Sequence, residues 1–172
     1  MPAAPAASAP VRVLPLDAGR AETARALRVD PAQVAWAGDI AWNVQRALAD
    51  AGCEPMAVLL GETVVGFYRL DPGASLVSRE RLPAATLALR AFALDRRWQG
   101  LGLGGRALAA CCRDLASRGR ARLLGLNVHR ANLAALRLYR GADFVDSGEL
   151  VWGGRAGPQS LLLRAIGPAA GA

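Results

Sequence analysis

The sequence predicts a single α/β domain. Its 172 residues are enough for one domain with a substantial hydrophobic core. Apolar strand-like segments are interspersed with segments whose apolar residues recur at helical spacing. A glycine-rich segment, QGLGLGG at 99–105, joins one of these strands to a helix. Because no internal repeat or linker divides the chain, the domain is expected to span residues 11–166, with a disordered arm at 1–10 and a disordered tail at 167–172.

The first part of the chain predicts one strand followed by helices. The segment VRVLPL at 11–16 has strand character, and Asp17 is a candidate N-cap for the helix that follows it. Asp30, with a proline after it, predicts a second helix start. Asp39 begins an amphipathic segment that Gly52 is expected to end.

The rest of the chain predicts six further strands and two further helices. Two strands form a hairpin around the turn at 61–62, and the segment TLALRAFAL at 86–94 forms the fourth strand. A helix follows the glycines and ends at Gly119. The remaining elements are a strand at 121–128, a helix at 132–141 with Asn132 as its expected N-cap, and strands at 143–152 and 159–166.

Composition and charge exclude several functional classes. The net charge is +7, carried by arginine alone, since the chain contains no lysine. The arginines form no compact basic run interleaved with aromatic residues, so nucleic acid is not expected as a partner. No apolar run reaches the roughly 18 residues that a membrane span needs. The N-terminus lacks the features of a signal peptide, which predicts a cytoplasmic location. Three cysteines and one histidine without ligand spacing predict no metal site.

The glycine-rich segment allows three interpretations. A P-loop is excluded, because the segment contains neither the lysine nor the Mg²⁺-binding hydroxyl that this loop requires. Gly100, Gly102 and Gly105 match the dinucleotide-binding pattern G-x-G-x-x-G. However, this loop follows its strand by about five residues and is not in the first βα unit. The acidic residue expected roughly 20 positions later is also missing.

The third interpretation fits the segment and its surroundings. Gln99, Gly102 and Gly104 match the pattern Gln/Arg-x-x-Gly-x-Gly/Ala of the acetyl-CoA loop in the GNAT superfamily of N-acetyltransferases, which this segment resembles. Asn132 and Tyr139 resemble the family's second motif, in which an asparagine precedes a tyrosine by two helical turns. The resemblance covers about residues 11–166 in element order and is specific across roughly 86–144. It implies a mixed, splayed β-sheet of about seven strands flanked by about four helices.

Two residues depart from the family pattern. Asp143 stands before Phe144 where the family usually has glycine. Because aspartate tolerates a positive φ better than most residues, the turn is expected to form. The fourth strand often carries a glutamate that acts as general base, but this strand carries Arg90 and no carboxylate. The identity of the base is therefore open, with solvent water, Asp39 and Glu80 as candidates.

The resemblance implies a role for each site residue. Tyr139 is expected to be the general acid, and the Leu94 N–H is expected to stabilise the oxyanion. The backbone of the fourth strand would pair with the pantetheine arm. The N-terminus of the helix at Gly104 would bind the pyrophosphate through its N–H groups and positive dipole potential. The expected cofactor-binding residues are Phe92, Ala93, Leu94, Gln99, Gly100, Leu101, Gly102, Leu103, Gly104, Gly105 and Asn132.

The expected activity is transfer of an acetyl group from acetyl-CoA to a primary amine of a small molecule, with no metal. Weak likeness near residues 27–38 and 65–70 to spermidine/spermine N-acetyltransferases makes a polyamine-like acceptor one possibility. The alternatives are acetylation of a protein or peptide N-terminus and a non-catalytic acyl-CoA-binding module. A monomer and a homodimer are both compatible with the sequence.

Overall fold

The computed structural model describes residues 5–73, 75, 77–153 and 157–167, and these residues form a seven-stranded sheet with helices. The strands are hydrogen-bonded in the order β1-β2-β3-β4-β5-β7-β6. The α/β prediction is confirmed, and the described residues contain four helices of two turns or more and one single helical turn. In chain order the elements are β1 (Val11–Pro15), α1 (Ala18–Arg25), α2 (Val34–Ala37), α3 (Ile40–Ala49), β2 (Glu54–Leu60), β3 (Thr63–Pro72), β4 (Thr86–Leu94), α4 (Leu103–Arg118), β5 (Leu123–His129), α5 (Leu133–Gly141), β6 (Val145–Val151) and β7 (Gln159–Ala165).

Short polar side chains start the helices as the sequence predicts. The carboxylate of Asp17 accepts a hydrogen bond from the Arg20 N–H, and that of Asp39 accepts one from the Trp42 N–H. Asp30 caps a short 3-10 turn that leads into α2. Each cap satisfies a main-chain donor that has no partner within its own helix. The predicted end of α3 at Gly52 is wrong, since the helix stops at Ala49 and Asp50 is already extended.

One of the two units of the structure comprises the chain up to Arg69 together with Ala91–Ala110. Its sheet begins with β1 antiparallel to β2, in a register that runs from Val11 opposite Leu60 to Pro15 opposite Met56. Apolar side chains of α1, α3, β2 and β3 form its core. Val44 and Phe67 are fully buried there, since an amphipathic helix and a strand each turn an apolar face inward.

The other unit comprises Leu70–Arg90 and Cys111–Ala172, and its centre is β5. This strand pairs antiparallel with β7 along its whole length, from Leu123 opposite Ala165 to His129 opposite Gln159. By contrast, its parallel pairing with β4 has only three residue pairs and stops at Ala88 and Gly125. Both strands continue beyond that point. The sheet is therefore mixed and splayed, as predicted.

Candidate active site

The C-terminal half of β4 is irregular. Ala91 has a φ of +53°, which interrupts the alternation of a regular strand. Beyond it, the Phe92 ring lies 6.2 Å from the Tyr68 ring, centroid to centroid. Leu94 is buried against β3, where Gly66 leaves room for it. A Cβ at Gly66 would lie 2.6 Å from the Leu94 Cδ2 and 2.7 Å from the Ala93 carbonyl oxygen. Packing against β3 therefore fixes the segment that is expected to bind the thioester.

A buried carboxylate, Asp95, holds the turn that follows β4. It accepts hydrogen bonds from the main-chain N–H of Arg28 at 2.9 Å and of Arg97 at 3.0 Å. The Arg97 Nε donates to it at 2.8 Å. Burial opposes ionisation of Asp95, but these hydrogen bonds and the Arg97 charge together hold its pKa below the ordinary value. These three hydrogen bonds from Arg28 and Arg97 to the Asp95 carboxylate therefore hold this turn, which directly precedes the glycine loop.

Gln99 ties the glycine loop back to the end of β4. Its Nε2 donates to the Leu94 carbonyl oxygen at 2.8 Å. Its side chain also forms a reciprocal pair with Gln33, in which each amide donates to the other at 2.9 Å. Leu94 and the loop are consequently held in a fixed relation by one side chain. This observation gives the motif glutamine a structural role, while its predicted contact with the cofactor stays a prediction.

The loop itself presents an open backbone surface. Gly100 and Gly102 have φ values of +75° and +72°, which residues with a side chain rarely adopt. A Cβ added at Gly100, Gly102 or Gly105 would meet no atom within 4 Å. Leu103, the first residue of α4, is buried, whereas Gly104 and Gly105 after it are only partly buried. The open N–H groups at the start of α4 fit a phosphate group, which needs close approach to the backbone.

In the second unit, Asn132 starts α5 and Tyr139 lies two turns later. The Asn132 Oδ1 accepts from the Ala135 N–H at 3.1 Å, which confirms the predicted N-cap. The Tyr139 ring is buried, and it packs edge-on against the Phe144 ring at 5.6 Å between centroids. Burial raises the pKa of Tyr139 well above its usual range. The hydroxyl therefore keeps its proton across the neutral pH range, as a proton donor must.

The turn after α5 forms without the usual glycine. Asp143 has a φ of +63°, so the prediction that aspartate would adopt this conformation is confirmed. Arg164 on β7 supports the turn, because its Nη1 donates to the Ala142 carbonyl oxygen at 2.7 Å. Its Nη2 lies 3.9 Å from the Asp143 carboxylate. These contacts and the Phe144 N–H, which donates to the Tyr139 carbonyl oxygen at 3.1 Å, fix the end of the helix that carries Tyr139.

A model of the acetyltransferase (GNAT) family matches residues 21–144, which is more than two thirds of the chain. The chain belongs to the GNAT family. It is therefore an acetyl-CoA-dependent N-acetyltransferase, as predicted. No curated protein matches the chain.

Solved GNAT structures share this fold at low sequence identity. The aminoglycoside acetyltransferase AAC(6')-Ib, solved with paromomycin and acetyl-CoA, has a TM-score of 0.73 and 18% identity, over 91% of this chain and 93% of that one. A spermidine N-acetyltransferase from Vibrio cholerae, solved with CoA and spermine, has a TM-score of 0.67 and 13% identity, over 91% and 95% of the two chains. An acetyltransferase from Thermus thermophilus has a TM-score of 0.65 and 21% identity, over 91% and 97%.

In this GNAT chain, strand β4 carries no carboxylate that could act as general base. The β4 position carries Arg90, whose Nη1 lies 3.6 Å from the buried carboxylate of Asp71 on β3. Asp39 is exposed and uses one carboxylate oxygen to cap α3. Glu80 is exposed, and its main-chain N–H donates to the Ser78 hydroxyl at 2.9 Å. The general base therefore stays a prediction.

The described residues contain neither a metal-binding cluster nor a membrane-spanning helix. Within 5–73, 75, 77–153 and 157–167, no group of three or more His, Cys, Asp or Glu side chains could hold a metal ion. No helix in that part of the chain is long and apolar enough to cross a membrane.

The sequence missed several residues that shape this GNAT site. Asp95 carries a recognisable signal, since an aspartate directly after a strand often caps a turn. No sequence signal predicts the contact of Gln33 with Gln99, because the two residues are 66 positions apart along the chain. The sequence also gives no sign of the positive φ at Ala91, since alanine is not typical of that conformation.

Proposed function

We propose that this chain transfers the acetyl group of acetyl-CoA to a primary amine of a small molecule. One observation carries the proposal, namely the open backbone around Gly100, Gly102 and Gly105, tied to the end of β4 by Gln99. Phosphates need close approach to N–H groups, and these three glycines carry no side chain that would prevent it. The remaining predicted cofactor contacts, from Leu101, Gly104 and Asn132, are part of this proposal.

The end of β4 provides the contacts to the reacting group. The backbone of Phe92, Ala93 and Leu94 would pair with the amides of the pantetheine arm, and the Leu94 N–H would donate to the thioester oxygen. That donor gains importance as the oxygen becomes negatively charged during attack. Gln99 and the packing behind Gly66 support this role, because a donor that is fixed in advance needs no reorganisation during the reaction.

Tyr139 would supply the proton that the leaving group takes. The amine nitrogen forms a bond to the thioester carbon, and the carbon–sulfur bond breaks. The Tyr139 hydroxyl donates its proton to the sulfur, so coenzyme A leaves as a thiol. The nitrogen gives one proton to solvent water, and the tyrosinate recovers a proton from solvent. Tyr139 meets one requirement of this role, since burial raises the pKa of its hydroxyl, which therefore carries a proton at neutral pH.

The amine must also lose its proton before or during attack. An alkyl amine with a pKa near roughly 10.4 is mostly protonated at neutral pH. Since β4 offers Arg90 in place of a carboxylate, we propose that ordered water removes the proton, assisted by Asp39 or Glu80. The rate is then expected to rise from pH 7 to pH 9. A flat profile, measured where chemistry limits turnover, would contradict this route.

The acceptor is proposed from chemistry that two structural neighbours share. The neighbours named above were solved with paromomycin and with spermine, both small molecules rich in amines. The test measures coenzyme A release with spermidine, with kanamycin and with a peptide that has a free N-terminus. Turnover of a small amine at least tenfold above that of the peptide supports the proposal. Preference for the peptide would instead assign an N-terminal acetyltransferase.

A further inference from the structure

The N-terminal segment at residues 5–10, here called the strap, is bound to the first unit. Within it, the Ala9 N–H donates to the Ala6 carbonyl oxygen at 2.9 Å. The Pro10 carbonyl oxygen accepts from the Gly61 N–H at 3.0 Å. A Cβ at Gly61 would lie 3.9 Å from the Cβ atoms of Ala9 and Pro5. The strap is thus placed against the turn between β2 and β3. Residues 1–4 of the predicted arm lie outside the described residues.

The strap also holds the side chain of Arg106. The Arg106 Nη1 donates to the Ala7 carbonyl oxygen at 2.5 Å, and its Nη2 donates to the Ala9 carbonyl oxygen. These acceptors are about 100 positions away in the sequence, so the contact is tertiary. Both acceptors are neutral, so they fix the guanidinium without cancelling its charge. A carboxylate partner, such as Asp95 provides for Arg97, would neutralise the charge that it binds.

Arg106 follows the glycine loop directly, in the first turn of α4. It is the fourth residue of α4, two positions after Gly104. Because long side chains on a helix lean towards its N-terminus, we expect the guanidinium to lie on the loop side of α4. The dipole potential at this end of a helix is also positive, so the two contributions add. A fixed positive charge at this place suits a polyanionic ligand.

We propose that Arg106 is a binding residue for the phosphates of coenzyme A and that the strap is the segment that positions it. This inference rests on the proposed function, since it assumes that the loop takes an acyl-CoA. The strap binds Arg106 through two main-chain carbonyl oxygens, whereas an arginine is commonly bound by a carboxylate. The side chain is thereby ordered before the ligand arrives, which reduces the entropy lost on binding.

The test compares a variant that removes the positive charge of Arg106 with a variant that places a neutralising carboxylate beside it. Arg106→Gln removes the charge. Ala7→Glu leaves Arg106 in place but adds a carboxylate on an exposed residue whose carbonyl already contacts the guanidinium. Ala7→Gln is the matched control of similar size without charge, and Arg25→Gln removes an exposed arginine from α1. Acetyl-CoA affinity is measured by calorimetry on the full chain, with thermal unfolding measured in parallel.

The expected result is a weaker acetyl-CoA affinity for Arg106→Gln by about tenfold, within the range for charge-assisted hydrogen bonds. Ala7→Glu is expected to weaken it several-fold, and both effects should shrink at 1 M salt, where the screening length is roughly 3 Å. The controls should bind as the parent does. Equal affinity in all five proteins, with a lower melting temperature for Arg106→Gln alone, would overturn this inference and leave the proposed function intact. A parent that fails to bind acetyl-CoA would overturn both.

Discussion

Gly66→Ala tests whether the end of β4 must be held where it is. The new Cβ would lie 2.7 Å from the Ala93 carbonyl oxygen and 2.6 Å from the Leu94 Cδ2. The leucine methyl can rotate away, but the carbonyl belongs to the backbone and moves only with the strand. Overpacking of this kind costs about 1–3 kcal/mol of unfolding free energy. A displacement of the Leu94 N–H of about 1 Å would in addition lower kcat on the order of 100-fold.

Two measurements separate this effect from a general loss of stability. Chemical denaturation gives the free energy of unfolding, and coenzyme A release with a fixed amine gives kcat well below the unfolding transition. Gly19→Ala is the matched control, because its Cβ would meet only the Asp17 Oδ1 at an ordinary 3.7 Å. The control should be as stable as the parent or slightly more so, with unchanged kcat. If Gly66→Ala keeps both parental stability and parental kcat, the close packing does not position the reacting segment.

Three further substitutions probe the acid, the turn and the loop. Tyr139→Phe should lower kcat by about 10²–10⁴-fold with little change in acetyl-CoA affinity, and a kcat within a few-fold of the parent would make Tyr139 structural. Asp95→Asn should cost about 2 kcal/mol of stability at pH 7. Because the Asp95 pKa lies below its ordinary 3.8, that stability is lost as the pH falls through this range, so the parent and the variant should converge in acid denaturation. Gly105→Ala should stabilise the protein without ligand by about 0.5–1 kcal/mol but weaken acetyl-CoA binding, and calorimetry showing parental affinity would contradict the loop assignment.

Local signals account for what the sequence predicts correctly. The caps at Asp17, Asp39 and Asn132 are governed by side chains within three positions of the helix start. The αL turn at Asp143 follows from the tolerance of aspartate for a positive φ. Elements with such short-range causes can be assigned before any tertiary structure is known.

Features that depend on distant parts of the chain could not be predicted. The Gln33–Gln99 pair and the hold of the strap on Arg106 join segments that only the fold brings together. Gly102 shows a subtler limit. From the sequence, Gly102→Val would be expected to fill phosphate space and leave the fold intact. The φ of +72° means that valine would also strain the backbone, so Gly105→Ala is the cleaner test.

The positive φ of Ala91 has a consequence for how the protein would lose activity on heating. A residue with a Cβ in this conformation costs roughly 1–2 kcal/mol, and the surrounding packing must hold it there. Ala91 packs against the core of the first unit, so the strain persists only while that core is intact. When thermal motion loosens this packing, the strand can relax to a regular pleat, which re-aims the three residues that follow. Acetyl transfer should therefore decline some degrees below the temperature at which the secondary structure melts.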